Sequence, residues 1–256
     1  MSDRRRRPMC LSAMLAATLA AMLVTGCSGG ASSSSAETSS DRYAPRIRAA
    51  DFGTTVDNPY FPLVPGSRWV YEGKTELGVE RIVVEAAHET KTILGVTCVV
   101  VRDTVSVDGE IQEDTFDWYG QDHRGAVWYF GEDTKEYERG MVVSTTGSWE
   151  AGVDGARPGI VMPAHPKRGP PYRQEYYAGE AEDMAQVLRL RAPVSVPAGS
   201  FPNTLETKEF TPLQPGVVEH KYYARGVGLV LEVAVRGGSG RVELVEHTVN
   251  GAHKAP

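Results

Sequence analysis

The sequence predicts a mainly β protein: an antiparallel meander forming a barrel or a curved half-barrel, with one long Gly/Pro-rich loop and at most one or two short helices. Two observations carry this prediction. From Ser67 to Val249, short runs rich in Val, Ile, Thr, Tyr and Trp recur, separated by brief connectors that bear Gly or Pro. No helical period is interleaved between them, which argues against parallel strands with crossover helices.

The elements follow in order. Asp57 to Gly66, DNPYFPLVPG, holds three prolines that forbid helix and central strand, so this lead-in should tuck Tyr60, Phe61 and Leu63 against the core. Strands are expected at 67–73, at 78–87 and 88–93, and at 96–107, where Asp108-Gly109 signals a tight hairpin. Beyond Lys135, Glu138-Arg139-Gly140 turns the chain and 141–145 pairs back. Ala151 to Pro171 is a long Gly/Pro loop with at most a short strand at 160–162, and 172–177 is strand-like. Residues 179–188, GEAEDMAQVL, could be a helix with Ala181, Met184, Ala185 and Leu188 on one side. Alternation of Leu188 and Leu190 with Arg189 and Arg191 favours a strand over the second half. The meander resumes at 203–211, 217–224, 226–235 and 241–249.

The segment 110–135, EIQEDTFDWYGQDHRGAVWYFGEDTK, should be one hairpin, with Gly125 supplying positive φ in the turn. The expected register sets Asp122 against Ala126, Tyr119 against Tyr129, Trp118 against Phe130, Asp117 against Gly131 and Thr115 against Asp133. Phe116, Trp118, Trp128 and Phe130 then share one face, as core or as the wall of an apolar ligand cavity. Glu113, Asp117, Tyr119, Tyr129 and Asp133 share the other, a carboxylate-and-tyrosine surface expected to face water.

The N-terminus carries Arg4 to Arg7 and then an uncharged, Ala-rich apolar run, the order of a secretory signal peptide. It ends Leu23-Val24-Thr25-Gly26-Cys27, which resembles the lipobox of bacterial lipoproteins. That resemblance implies cleavage after Gly26, acylation of Cys27 and a membrane anchor; a Ser after the cysteine resembles the pattern sent to the outer membrane where two membranes exist. The resulting organisation is signal peptide 1–26, lipidated Cys and flexible Ser/Gly tether 27–50, one β domain 51–249 and a disordered tail 250–256. Loss of residues 1–26 removes four Arg and one Asp, moving the formal charge from −6 to −9, which argues against nucleic acid as a partner. Of three cysteines only Cys98 remains for the domain, a buried apolar residue rather than a disulfide partner.

Three patterns, Tyr60-Phe-Pro-Leu-Val-Pro-Gly-Ser-Arg-Trp-Val-Tyr71, Val196-Pro-Ala-Gly-Ser-Phe201 and Tyr222-Tyr-Ala-Arg-Gly-Val-Gly-Leu-Val230, resemble a broad set of uncharacterised bacterial secreted proteins and lipoproteins. A looser similarity is to the curved half-barrels of LolA-like lipoprotein carriers, which implies a concave face for acyl chains.

Chemical candidates are few. Glu113, Asp117 and Asp133 could converge on a hard cation such as Ca²⁺, although an acidic solvated face reads the same way. Glu180, Glu182 and Asp183 read as a polar hairpin end or helix start. The six histidines are scattered, no zinc spacing exists, and there is no Gly-x-Ser-x-Gly elbow. The sequence therefore favours an envelope-anchored, non-enzymatic lipoprotein that binds an apolar or amphipathic, lipid-like ligand or a partner protein, with no cofactor. A structural or adhesive lipoprotein without a small ligand is one alternative. A hydrolase using Asp117 and Asp133 as acid and base is the other.

Overall fold

A computed structural model describes residues 43–75, 78–250 and 252–253; the signal peptide, Cys27 and most of the tether lie outside the described residues. The strands are β1 (Asp57–Asn58), β2 (Phe61–Pro62), β3 (Ser67–Thr75), β4 (Gly78–Ile93), β5 (Val96–Val107), β6 (Glu110–Gln121), β7 (Val127–Glu138), β8 (Met141–Ser144) and β9 (Trp149–Glu150). They continue with β10 (Arg157–Met162), β11 (Tyr172–Arg173), β12 (Glu175–Tyr176), β13 (Met184–Val196), β14 (Gly199–Phe210), β15 (Val218–Ala224), β16 (Gly228–Arg236), β17 (Arg241–Val249) and β18 (Ala252–His253). Apart from the β1–β2 pair they form one antiparallel sheet in the order β11-β13-β14-β15-β16-β17-β3-β4-β5-β6-β7-β10-β12. The one helical turn among the described residues is a 3₁₀ turn at Ala49–Asp51.

The sheet consists of two consecutive meanders, β3 to β10 and β13 to β17, joined where β17 pairs with β3 from Val242↔Gly73 to Val249↔Ser67. Its two edge strands, β11 and β12, are separated only by Gln174, so the sheet curls until its edges meet. On one side of Gln174, Tyr172 and Arg173 pair with Ala185 and Met184; on the other, Glu175 and Tyr176 pair with Pro158 and Arg157. Hydrogen bonding around the wall is thus interrupted at this seam and the covalent chain bridges it. At Gly159 a Cβ would lie 2.3 Å from the Gln174 carbonyl carbon, so β10 can approach the seam closely only through a glycine.

The lead-in behaves as its prolines require. Phe61 and Leu63 are buried and Tyr60 is half-buried against the core, between the start of β3 and the β15–β16 turn. Asn58 holds this segment down: its side chain donates to the Gly125 and Pro163 carbonyls at 2.7 and 3.3 Å, and Gly226 N donates to Pro59 O.

Three sequence expectations need correction, and a segment left open between helix and strand is decided as its alternation favoured. Residues 43–50, assigned to the tether, are docked: the Tyr43 hydroxyl donates to Pro158 O at 2.8 Å, its ring packs against Tyr176, and Ile47 packs against the core. The loop 151–171 contains a strand twice as long as expected, β10, because Ile160, Val161 and Met162 complete the wall beside β7. Residues 179–183 form a turn with a Tyr177↔Ala181 bridge, and β13 takes over from Met184, so packing on β14 decides the ambiguous segment for strand. Ala252–His253 pair with β17, carrying the sheet past the point where the tail was expected to begin.

Candidate functional site

The hairpin β6–β7 positions the site. Its turn forms as expected: Gly125 has φ +96, Gly125 N donates to Asp122 O, and Asp122 N donates to Ala126 O. Tyr119 pairs with Tyr129. The register then slips by one residue, so that Asp117 pairs with Glu132 and Thr115 with Thr134. The cause is a bulge at Gly131, whose φ is +132 and whose added Cβ would stand 2.2 Å from Trp149 O, because β9 pairs antiparallel with β7 there. This corrects the predicted site. Glu113 and Asp117 share the inward face, but Asp133 pairs with Phe116, points outward and binds Lys135 at 2.8 Å. Asp117 and Asp133, the proposed acid–base pair, accordingly lie on opposite faces.

The face expected to meet water is buried as well, so both faces of the hairpin carry packed side chains, with Trp118 and Phe130 in the core as expected. Phe116, Trp118, Trp128 and Phe130 do share a face, and it is the outer one, covered by other parts of the chain. The ring of Phe52 packs edge-on against Trp128 and Phe130, Lys91 Nζ lies 3.3 Å over Trp118, and Arg102 sits over Phe116. The carboxylate-and-tyrosine face is the interior of the curled sheet: Asp117, Glu132, Thr115, Thr134, Tyr119 and Tyr129 are all buried.

Inward alternation on the other strands extends this interior. Glu80 of β4, Asp103 of β5, Glu175 of β12, Asp183, Glu209 of β14 and Glu232 of β16 are buried with the β6–β7 carboxylates. Lys221 of β15 is the buried cation among them, with Nζ 3.0 Å from Glu209 and 3.5 Å from Glu232. Some acids are hydrogen-bonded. Tyr129 OH donates to Asp117 at 2.6 Å, Thr134 to Glu132 at 2.9 Å, and Tyr223 OH to Glu209 at 3.0 Å. Others are left bare: Glu80 Oε1, Asp103 Oδ1, Asp183 Oδ1 and both oxygens of Glu175 and Glu232 accept no hydrogen bond.

Burying a carboxylate without a partner favours its neutral form. Burial pushes Glu175 up to about 8, against the pull of the Asp183 backbone and Trp149 nearby and with added repulsion from Asp117. Burial likewise raises Glu232 to about 8 despite Lys221, Asp117 to about 7 despite Tyr129, and Glu80 to about 7 with help from Glu113. Asp103, Glu132 and Asp183 are raised well above the carboxylate range, by burial first and by neighbouring acids after it. Lys221 behaves oppositely. Burial opposes its charge, but Glu209 and Glu232 outweigh burial and hold it protonated. Among the described residues, no group of three His, Cys, Asp or Glu is placed to hold a metal ion.

The other half of the interior, beneath the lead-in, is apolar. A cavity of about 60 Å³ lies between Phe61, Leu63, Trp69, Tyr71, Ile82 and Leu229, with Asp103 reaching it from the acidic side. The polar tips of its aromatic walls are satisfied elsewhere: Trp69 Nε1 donates to Val227 O at 2.7 Å and Tyr71 OH to Leu229 O at 3.1 Å. Trp69 also stacks on His247, with ring centroids 5.1 Å apart. Cys98 is buried, and burial pushes its thiol up to about 12, so it is inert as expected.

Sequence reasoning missed Glu80, Asp103, Glu132, Glu175, Glu209, Lys221 and Glu232. A signal existed for several: Val101-x-Asp103-x-Val105, Leu205-x-Thr207-x-Glu209 and Val230-x-Glu232-x-Ala234 place an acid in phase with apolar residues, on the face that must turn inward.

Compared with known proteins, the sequence matches no protein family and no curated protein. One solved structure, a protein of Parabacteroides distasonis described as a lipoprotein, is similar at 13% identity over 74% of this chain and 98% of its own, with a TM-score of 0.40.

Proposed function

We propose that this chain is an exported binding protein, anchored to the cell envelope by lipid on Cys27, whose barrel holds the small apolar part of an amphipathic ligand beneath the lead-in segment. The observation that carries the ligand is the aromatic cavity of about 60 Å³ with one carboxyl, Asp103, on its polar side. This is smaller than a pocket for a drug-sized molecule, at about 300 Å³ and above, so a short chain fits and a benzene ring or a whole acyl chain does not. The lead-in that roofs the cavity pairs β1 only with β2, and the Asn58 and Pro59 hydrogen bonds that tie it down are not part of the main sheet's ladders, so it can lift without breaking them. Support for the anchor comes from the residues Leu23 to Cys27 and the Ser/Gly segment after them.

Two experiments test this reading. Full-length chain in detergent, titrated with hexanol and hexylamine, should show a saturable change in Trp69 fluorescence that the Trp69→Phe variant lacks; no change at millimolar probe excludes the ligand. Fractionation of producing cells should place the chain in membranes and the Cys27→Ala variant in the soluble fraction. An unchanged distribution excludes the anchor.

A further inference from the structure

A second cavity, about 30 Å³, lies directly behind the seam, lined by Gln174, Glu175, Asp183, Glu209 and Lys221 and by the rings of Tyr119, Tyr129 and Tyr223. It shares no lining residue with the apolar cavity and does not depend on that cavity being occupied.

We propose that this chamber is a binding site for the ammonium group of a small primary amine. The spare acceptors point to a cation rich in donors, whose arrival would ionise acids that burial otherwise keeps neutral. The chamber's own base, Lys221, is already committed to Glu209 and Glu232, at 3.0 and 3.5 Å. Glu175 and Asp183 keep no counter-ion, although they are only 1% and 4% exposed, and both oxygens of Glu175 and one of Asp183 accept no hydrogen bond. Buried acceptors in that condition are costly, and three N–H donors on one small group answer them. Lys221 shows the arrangement the interior accepts, a primary ammonium held between two carboxylates.

Size and surroundings narrow the class. A cavity of about 30 Å³ admits one or two water-sized groups, which suits –NH₃⁺ and excludes a trimethylammonium or a guanidinium. The tyrosine hydroxyls of 129 and 223 are engaged with Asp117 and Glu209, which leaves the aromatic rings as the remaining wall, a surface that favours cations. Access is through the seam, where only two residue pairs on each side of Gln174 close the wall.

The test is calorimetric titration and thermal unfolding of the full-length chain near neutral pH with methylammonium chloride, against tetramethylammonium chloride at equal ionic strength. Methylammonium should bind with measurable heat and raise the unfolding midpoint, while tetramethylammonium does neither. The Glu175→Gln/Asp183→Asn variant should weaken methylammonium binding by about tenfold or more, and Glu175→Gln alone should weaken it if the double variant does not fold. Equal effects of the two salts overturn the proposal, as does undiminished binding to the Gln variant. Hexanol binding at Trp69 serves as the separating control: if it persists while methylammonium fails, only the ammonium site falls.

Discussion

Replacing Glu175 by Gln should stabilise this protein in mild base and do little in mild acid. Glu175 is 1% exposed, neither of its carboxylate oxygens accepts a hydrogen bond, and burial lifts it from 4.5 to about 8. Its folded-state pKa is above its unfolded one, so the folded chain binds more protons between those values. The stability it contributes is therefore complete below about 4.5 and is lost as pH rises through about 8. At about 1.36 kcal/mol for each pH unit, the rise sets an upper bound of about 4 to 5 kcal/mol on that loss. Water entering at the nearby seam screens part of it, so about 2–4 kcal/mol is the expected cost at mildly alkaline pH. Gln has nearly the shape of the protonated acid and never ionises. The variant should unfold about 5–15 °C above the parent in mild base, on the scaling for a domain of this size, and within a few degrees of it near pH 5. Urea unfolding followed by tryptophan fluorescence at both pH values gives the same comparison as a free energy. A parent–variant difference that is the same at both pH values, or larger in acid, would refute the assignment of Glu175 as a buried, neutral acid.

Lys221→Met should cost about 3–5 kcal/mol in mild base, where it strands Glu209 and Glu232, and less near pH 5, where Glu232 is neutral; urea midpoints at the two pH values check this. Gly131→Val meets both a φ of +132 and a Cβ position 2.2 Å from Trp149 O, so a loss of about 3 kcal/mol or more is expected in thermal unfolding, or failure to accumulate as folded protein. Ile82→Ala should lose about 2–4 kcal/mol and enlarge the apolar cavity, so that benzene, too large for the parent, raises the variant's unfolding midpoint. Asp133→Asn, on the outer face with Lys135 as its partner, should change stability by less than about 0.5 kcal/mol, whereas Asp117→Asn, 1% exposed, should alter the pH dependence of unfolding.

The fold class was legible because it depends on features that are local: period-two runs, proline in the lead-in, and glycine or paired turn residues at the hairpins. Even the hairpin at Gly125 and the Tyr119–Tyr129 pairing could be read, since turn chemistry fixes register for the first few pairs. What followed could not. The bulge at Gly131 sits where β9 pairs with β7, and nothing near Gly131 in sequence announces that pairing. One slipped residue then sent Asp133 outward and brought Glu132 inward. The burial of the acidic face had a different origin. Acidic residues on a strand ordinarily face water, and here the curl of the sheet gathers them from strands far apart in the chain, where mutual repulsion and burial keep them neutral. Trp118 and Phe130 are core residues as their aromatic character suggested, but they pack on the outer side of the curled sheet, under Phe52 and Lys91.

Because the wall is two meanders bound along β3–β17 and fastened at Tyr172–Tyr176, with Tyr43 laid over the fastening, it is built like a book with a spine and a clasp. The spine carries seven residue pairs and the clasp four, split across two neighbours. Fluctuations that part the covers without unfolding either one should therefore begin at the clasp, and amides 172–176 should exchange with solvent well before those of β3 and β17. The same construction places the two ends of the barrel side by side at Ser67 and Val249, while the exposed loop 163–171 sits at the fore-edge. A circular permutant that starts in that loop would keep both covers whole and leave the clasp on a free terminus, provided its linker runs from the end of β17 back to Tyr43, which is docked beside Pro158 and Tyr176.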